Sequence, residues 1–169
     1  VIHLVRCFDS EKITHVNSKI DPLNDLETIK TEILLADIDI IQKKLDKGKK
    51  KLLSPKEIGF LENRLKYLNE GKDQPVQSKE EEEILYALGL LSTKPKIIVC
   101  NVDEDSLSKG NQYTESVKSN YKDEKVVIIC ADIEDQLTSL DKNERETFMK
   151  EIGLNKTGIK QLIKEGYDL

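Results

Sequence analysis

Three short apolar runs along this chain are separated by longer segments in which apolar residues recur with the period of a helix. The runs cover residues 1–8, 96–101 and 126–130, and they are apolar at most positions, without the strict alternation of a half-buried strand. Continuous apolar strands are typical of a parallel sheet that is covered on both faces. The pattern therefore predicts an α/β fold built on a parallel sheet.

The segment between the first two runs is predicted to form a pair of long helices. Residues 23–47 carry apolar side chains at three-, four- and seven-residue steps, and residues 58–68 carry a second stripe of the same kind. Two such helices with a short link bury their stripes against each other as an antiparallel hairpin, and the length of the first is typical of a coiled coil. The stripes consist of Leu26, Ile29, Ile33, Ile40 and Leu45 in the first helix and Ile58, Leu61, Leu65 and Leu68 in the second.

Local signals predict where several helices begin. Ser54 and Ser78 are each followed three residues later by a glutamate, Glu57 and Glu81, which is the pattern of a capping box. Pro55 fits the first position of the second helix. The helical pattern also predicts shorter helices in the second half of the chain, at residues 113–121, 132–140, 143–152 and 157–166.

The order of these elements predicts a sheet domain interrupted by a helical insertion. Residues 1–22 supply its first part, residues 23–91 the insertion, and residues 92–169 the remainder. Such an insertion is physically easy, because the two ends of a helical hairpin lie together.

Length and composition narrow the class of protein. The chain has 169 residues, of which 37% are hydrophobic and 35% charged, and its net charge is −5. These values suit one soluble, helix-rich domain with an insertion. Because no run of about 18 apolar residues occurs, the sequence predicts no membrane span. The cysteine pattern described next favours a cytoplasmic location.

The cysteines and histidines indicate no metal centre. Cys7, Cys100 and Cys130 lie far apart in apolar runs, where cysteine behaves as a small buried hydrophobe, so we expect reduced structural thiols. His3 and His15 have no partners at ligand spacing.

Residues that could bind a ligand lie at the end of the second apolar run and just after it. Asn101 ends that run and Glu104 comes three residues later, a spacing similar to the NKxD pattern with which P-loop GTPases read a purine. An asparagine amide both donates and accepts, so Asn101 can pair with N7 and the group at C6 of a purine. Two departures from the pattern, Val102 for lysine and Glu104 for aspartate, favour a purine other than guanine. The alternative is that Asn101 only caps a loop.

Longer segments identify a family. The chain resembles the YchF-type Obg-like ATPases, of the translation-factor class of P-loop proteins, nearly end to end. The resemblance implies a partial P-loop NTPase-type parallel sheet with a long antiparallel helical, coiled-coil insertion, and a full-length protein that hydrolyses ATP. It rests on VIHLVRCF, ITHVNSKIDPLNDLETIKTEILLAD, NVDED, CADIE, ERETFMKEIGL and TGIKQLIKEGY.

The family's phosphate-binding motif is missing from this sequence. No GxxxxGK[ST] pattern occurs, and the resemblance places a DxxG motif before residue 1 and a TGS domain after residue 169. We therefore expect a middle fragment whose Mg²⁺ ligands and catalytic groups lie elsewhere. Because phosphate and Mg²⁺ contacts supply most of the stabilisation in phosphoryl transfer, the isolated chain is predicted to be inactive.

The resemblance also assigns base-contacting residues. It implies that Asn101 and Glu104 read the base, with ATP preferred to GTP, and that Val102 or its backbone packs against it. Cys130 and Ala131 correspond to the element whose backbone amides touch the base from the other side. A GTPase of the same class is the alternative.

A basic segment is the second candidate site. Residues 42–72 contain ten Lys or Arg against four acids, and Lys49, Lys50 and Lys51 lie near the expected hairpin tip. Such an arm can bind RNA through phosphates, and the family's association with ribosomes favours that partner. The competing hypotheses are an RNA- or ribosome-binding helical-arm module without nucleotide activity, and a merely solvated helix tip.

Overall fold

The computed structural model describes residues 1–10, 19–48, 53–72 and 74–169. These residues form three strands and seven helices. In chain order the elements are β1 Ile2–Arg6, α1 Pro22–Gly48, α2 Pro55–Asn69, α3 Lys79–Leu88, β2 Ile97–Asn101, α4 Gln112–Asn120, β3 Lys125–Ile129, α5 Ala131–Ser139, α6 Lys142–Glu151 and α7 Gly158–Tyr167.

The chain divides into two compact units. Val1–Leu26 and Pro95–Leu169 form the first, and Glu27–Lys94 form the second. The boundaries between the units fall at 26/27 and 94/95. The domain boundaries expected from the sequence were 22/23 and 91/92.

The three strands form one parallel sheet in the order β1-β2-β3. The central strand β2 is buried from Ile97 to Cys100, because it has a neighbour on each side and helices over both faces. The predicted α/β class with a parallel sheet is confirmed. Register pairs Arg6 of β1 with Asn101 of β2, and Asn101 with Ile129 of β3, so all three strands end at the same level.

Two apolar clusters cover the faces of this sheet. On one face α7 packs against β3, and its Leu162 contacts the side chains of Ile97, Val99 and Val127. The cluster on the other face includes all three cysteines, which are buried free thiols. Its fully buried members are Val5, Cys7, Leu26, Ile98, Cys100, Val102, Val117, Cys130, Ile133 and Leu137.

The helical unit has a separate core, to which α1, α2 and α3 all contribute. Its buried members are Ile41, Leu45, Phe60, Leu61, Leu68, Leu85 and Leu90. The apolar stripe of α1 differs from the prediction, because Ile41 is fully buried whereas Ile40 is only partly so. The antiparallel coiled coil itself stays a prediction.

Helix α1 also carries a buried carboxylate. Asp37 of α1 is completely buried and accepts hydrogen bonds from the backbone N–H groups of Leu91 at 2.9 Å and Ser92 at 2.8 Å. An acid on the buried side of α1 is required there to satisfy two amides that follow α3.

One predicted capping box forms as expected and the other does not. Ser54 Oγ accepts a hydrogen bond of 3.2 Å from Glu57 N, and the Glu57 carboxylate accepts one of 2.8 Å from Ser54 N. Ser78 likewise caps α3, but the Glu81 carboxylate accepts from Gln77 N at 2.7 Å. The prediction of a reciprocal box was wrong there, because the glutamate reaches one residue further back. Among the described helices, none is long and apolar enough to cross a membrane.

Candidate functional site

The carboxyl ends of β1, β2 and β3 bring the predicted base-contacting residues to one edge of the sheet. Each strand is parallel to the next and ends at the same level, so the segments that follow residues 6, 101 and 129 are neighbours. This edge is where parallel α/β sheets bind ligands.

Asn101 and Ala131 touch each other at this edge. The half-buried Asn101 side chain accepts, through Oδ1, a hydrogen bond of 3.0 Å from the backbone N–H of Ala131. Asn101 Nδ2 donates to no residue that the structure describes. The amide is therefore held by its oxygen, while both protons of its nitrogen are available to a ligand.

Val102 and Cys130 lie beneath this contact. Val102 is 2% exposed and Cys130 is 1% exposed, and both side chains belong to the apolar cluster. Val102 N also donates to Ile129 O at 2.8 Å, which extends the pairing of β2 and β3 past their last ladder residues. The Val102 side chain thus lies in the core and is not presented at the sheet edge.

Glu104 is exposed, and its side chain is hydrogen-bonded to helix α5. Its carboxylate Oε1 accepts from Gln136 Nε2 at 3.3 Å, and its carbonyl accepts from Leu107 N at 3.2 Å. In the same loop Asp103 Oδ1 accepts a hydrogen bond of 2.9 Å from Ser106 N, three residues further on. The loop after β2 thus has a defined conformation rather than a free tip.

Asn111 ties this loop to the end of β1, and sequence reasoning missed it. Its Nδ2 donates to Cys7 O at 2.6 Å and to Ser106 Oγ at 3.2 Å, while its Oδ1 caps helix α4. The sequence signal was an asparagine before a helix start. The cap was therefore recognisable, but the bond to Cys7, 104 residues away, was not.

A second hydrogen bond joins the segment after β1 to the start of α4. Tyr113 Oη donates to Asp9 Oδ2 at 3.0 Å, and this hydrogen bond raises the pKa of Tyr113. Together the bonds of Asn111 and Tyr113 fasten the chain after β1 to the start of α4.

Glu134 braces α5, the helix that begins at Ala131, against α7. It is 8% exposed, and its Oε1 accepts from Gly158 N at 2.6 Å and from Ile159 N at 3.4 Å. A Cβ on Gly158 would lie 2.5 Å from Ile129 Cγ2, so this close approach requires glycine. The glutamate is a scaffold residue whose carboxylate lies at the positive end of the α7 dipole.

Two of the buried thiols, Cys7 and Cys130, have raised pKa values. A hydrogen bond with Cys100, together with burial, raises the pKa of Cys7, and burial raises the pKa of Cys130. Protonated buried thiols are poor nucleophiles. Across the described parts of the chain, no group of three or more His, Cys, Asp or Glu is placed to hold a metal ion.

The basic-arm candidates cannot be placed. Lys49, Lys50 and Lys51 lie outside the described residues, as does His15.

Comparison with known proteins agrees with the fold described above. No family model matches the chain. It is 33% identical over 180 residues to the ribosome-binding ATPase YchF of Bacillus subtilis, and 35% identical over 176 residues to that of Escherichia coli O157:H7. These matches cover 100% and 99% of the chain, but it spans about half the length of the relatives, 49% and 48% respectively.

A solved structure gives the same result. The YchF GTPase of Schizosaccharomyces pombe superposes with a TM-score of 0.82 at 26% identity, over 99% of this chain and 49% of its own. The bacterial relatives are named as ATPases and the yeast protein as a GTPase, so the names leave the base open. Similarity along its whole length, in sequence and in fold, establishes that the chain belongs to the YchF family.

Proposed function

We propose that this chain carries the base-recognition part of the ATP site of a YchF-type ATPase. The observation that carries the proposal is the hydrogen bond between Ala131 N and Asn101 Oδ1, 3.0 Å long, at the carboxyl edge of the sheet. It joins two residues 30 positions apart that the family pattern assigns to opposite sides of one base.

The free donors of Asn101 fit a purine. With Oδ1 anchored, Nδ2 can donate to the acceptor N7, which adenine and guanine share. The second lone pair of Oδ1 can accept from the amino group at C6 of adenine. One side chain then reads two neighbouring atoms of the base.

The same arrangement favours adenine over guanine. Guanine carries an acceptor at C6, and its natural partner would be the Ala131 N–H, which is already engaged by Asn101. Adenine needs no donor at that position, so the existing bond can persist. Glu104, hydrogen-bonded to Gln136, is occupied rather than aimed at the N1 edge, where guanine would offer it donors and adenine an acceptor.

The remaining residues of the predicted site have supporting roles. Val102 and Cys130 fill the core under the edge, so we assign them to positioning the backbone of Asn101 and Ala131. Phosphate and Mg²⁺ contacts are assigned to other parts of the complete gene product, and the described residues offer no ligand cluster for the metal. The isolated chain should therefore show no nucleotide hydrolysis above the buffer rate.

Substitution of Asn101 in the complete gene product tests the proposal. Asn101→Ala should weaken ATP binding by about tenfold or more, since it removes the base contacts and leaves Ala131 N–H without its acceptor. Asn120→Ala is a matched control, because the Asn120 amide donates to Ser116 O on the exposed surface of α4 and has no other partner among the described residues. Affinities measured by calorimetry with ATP and GTP give both the loss and the base preference. Unchanged ATP affinity in Asn101→Ala would refute the base-reading role.

Ribosome association is the second part of the proposal. The excess of basic residues between 42 and 72, in a chain of net charge −5, supports phosphate contacts with RNA in the cytoplasm. Replacing Lys49, Lys50 and Lys51 by glutamine should weaken RNA binding and flatten its dependence on salt. If RNA binding persists in salt-sensitive form while nucleotide binding is absent, the chain is an RNA-binding arm module instead.

A further inference from the structure

We propose that Gln136 is a specificity-determining positioning residue, which holds the Glu104 carboxylate on α5 and so keeps the site selective for adenine. This inference rests on the proposed base-reading role of Asn101. It concerns a residue that the NKxD-like pattern does not include, 32 positions from Glu104 along the chain.

The position of the bond on α5 carries the argument. Ala131 begins the helix beside Asn101, and Gln136 follows five residues later. At 1.5 Å of rise per residue, Gln136 lies about 7.5 Å along the helix axis from Ala131. Because Gln136 Nε2 bonds Glu104 Oε1 at 3.3 Å, the carboxylate is held at the Gln136 amide, which belongs to the second turn of α5.

The chemistry of the two bases makes this hydrogen bond matter. A carboxylate facing the N1 edge of a purine accepts from the N1–H and amino protons of guanine, but it is repelled by the unprotonated N1 of adenine. Glu104 is exposed and one methylene longer than aspartate, so without a restraint it can sample that edge. The Gln136 amide supplies the restraint as a neutral donor to a charged acceptor.

Within the described ranges, no second hydrogen bond competes for this carboxylate. Among the described residues, Gln136 is the sole hydrogen-bond partner of the Glu104 side chain. Removing the amide therefore frees the carboxylate directly, whereas a lysine at position 136 would hold it more tightly through opposite charge.

Three variants of the complete gene product test the inference by the ratio of ATP to GTP affinity. Gln136→Leu should lower that ratio by about three- to tenfold, the range expected for the loss of one ordinary hydrogen bond. Gln136→Lys should keep or raise it. Gln161→Leu, an exposed glutamine on α7, is the matched control and should leave the ratio unchanged.

A double substitution separates positioning from general structure. In a Glu104→Ala background, Gln136→Leu should have no further effect on the ratio, because the residue it positions is gone. A ratio unchanged in Gln136→Leu alone, or an equal effect with and without Glu104, overturns the inference. Failure of the base-reading role itself is recognised separately, because Asn101→Ala would then leave both affinities unchanged.

Discussion

Replacing Glu134 by alanine removes the carboxylate that joins α5, the helix beginning at Ala131, to α7. The side chain is 8% exposed, and its Oε1 accepts from Gly158 N at 2.6 Å and from Ile159 N at 3.4 Å. Both amides belong to the first turn of α7, which has no intrahelical acceptor for them. The substitution therefore leaves a buried donor unsatisfied, at Gly158, and a partly buried one at Ile159.

The expected loss of unfolding free energy in Glu134→Ala follows from these two hydrogen bonds. A hydrogen bond to a charged group contributes about 1.5–3 kcal/mol, and the short bond to Gly158 N belongs in that range. The bond to Ile159 N is long and contributes little, while the negative charge at the helix N-terminus adds about 0.3–1 kcal/mol. Glu134→Ala should thus lower the free energy of unfolding by about 2–3 kcal/mol. Glu134→Gln keeps an acceptor but loses the charge, and should cost about half as much.

Urea denaturation followed by circular dichroism measures this loss, with Asp135→Ala as the matched control. Asp135 lies next to Glu134 on α5 and is exposed, so its replacement should change stability by no more than about 0.5 kcal/mol. A Glu134→Ala variant as stable as Asp135→Ala would refute the assigned role. The glutamate of the CADIE segment would then need a different explanation.

Two further predictions concern other buried polar groups. Asp37→Ala should cost about 3 kcal/mol, because it strands two backbone N–H groups after α3, whereas Asp39→Ala, an exposed ion-paired neighbour on the same helix, should stay within about 0.5 kcal/mol in the same denaturation assay. For His3, burial and then the charge of Lys96 lower the pKa from its usual 6.5. The unfolded chain therefore takes up a proton on His3 at a higher pH than the folded chain does. The contribution of neutral His3 to the free energy of unfolding is present above pH 6.5 and is lost as the pH falls through the folded pKa. Between about pH 7 and about pH 5 the parent protein should lose more unfolding free energy than His3→Gln does, and equal losses would contradict the assignment.

Structure that depends on near neighbours was readable from the sequence. The apolar run of each strand and the cap at Ser54 with Glu57 rest on residues within a few positions of one another. The family pattern also pointed to Asn101 and Ala131. Caps and turns can be predicted from the sequence because their hydrogen bonds join residues within a single turn of chain.

The tertiary structure alone decided how distant residues meet. No local pattern indicated that Asp37 would satisfy amides more than fifty residues away, or that Asn111 would reach the carbonyl of Cys7. It also placed Val102 in the core and Glu104 beside Gln136. Propensity and periodicity report which side of an element is buried, but the partner of a buried polar group depends on how the elements pack. For this chain, the sequence determined which strand ends could carry a base-reading amide, and packing determined which atoms of that amide remain free.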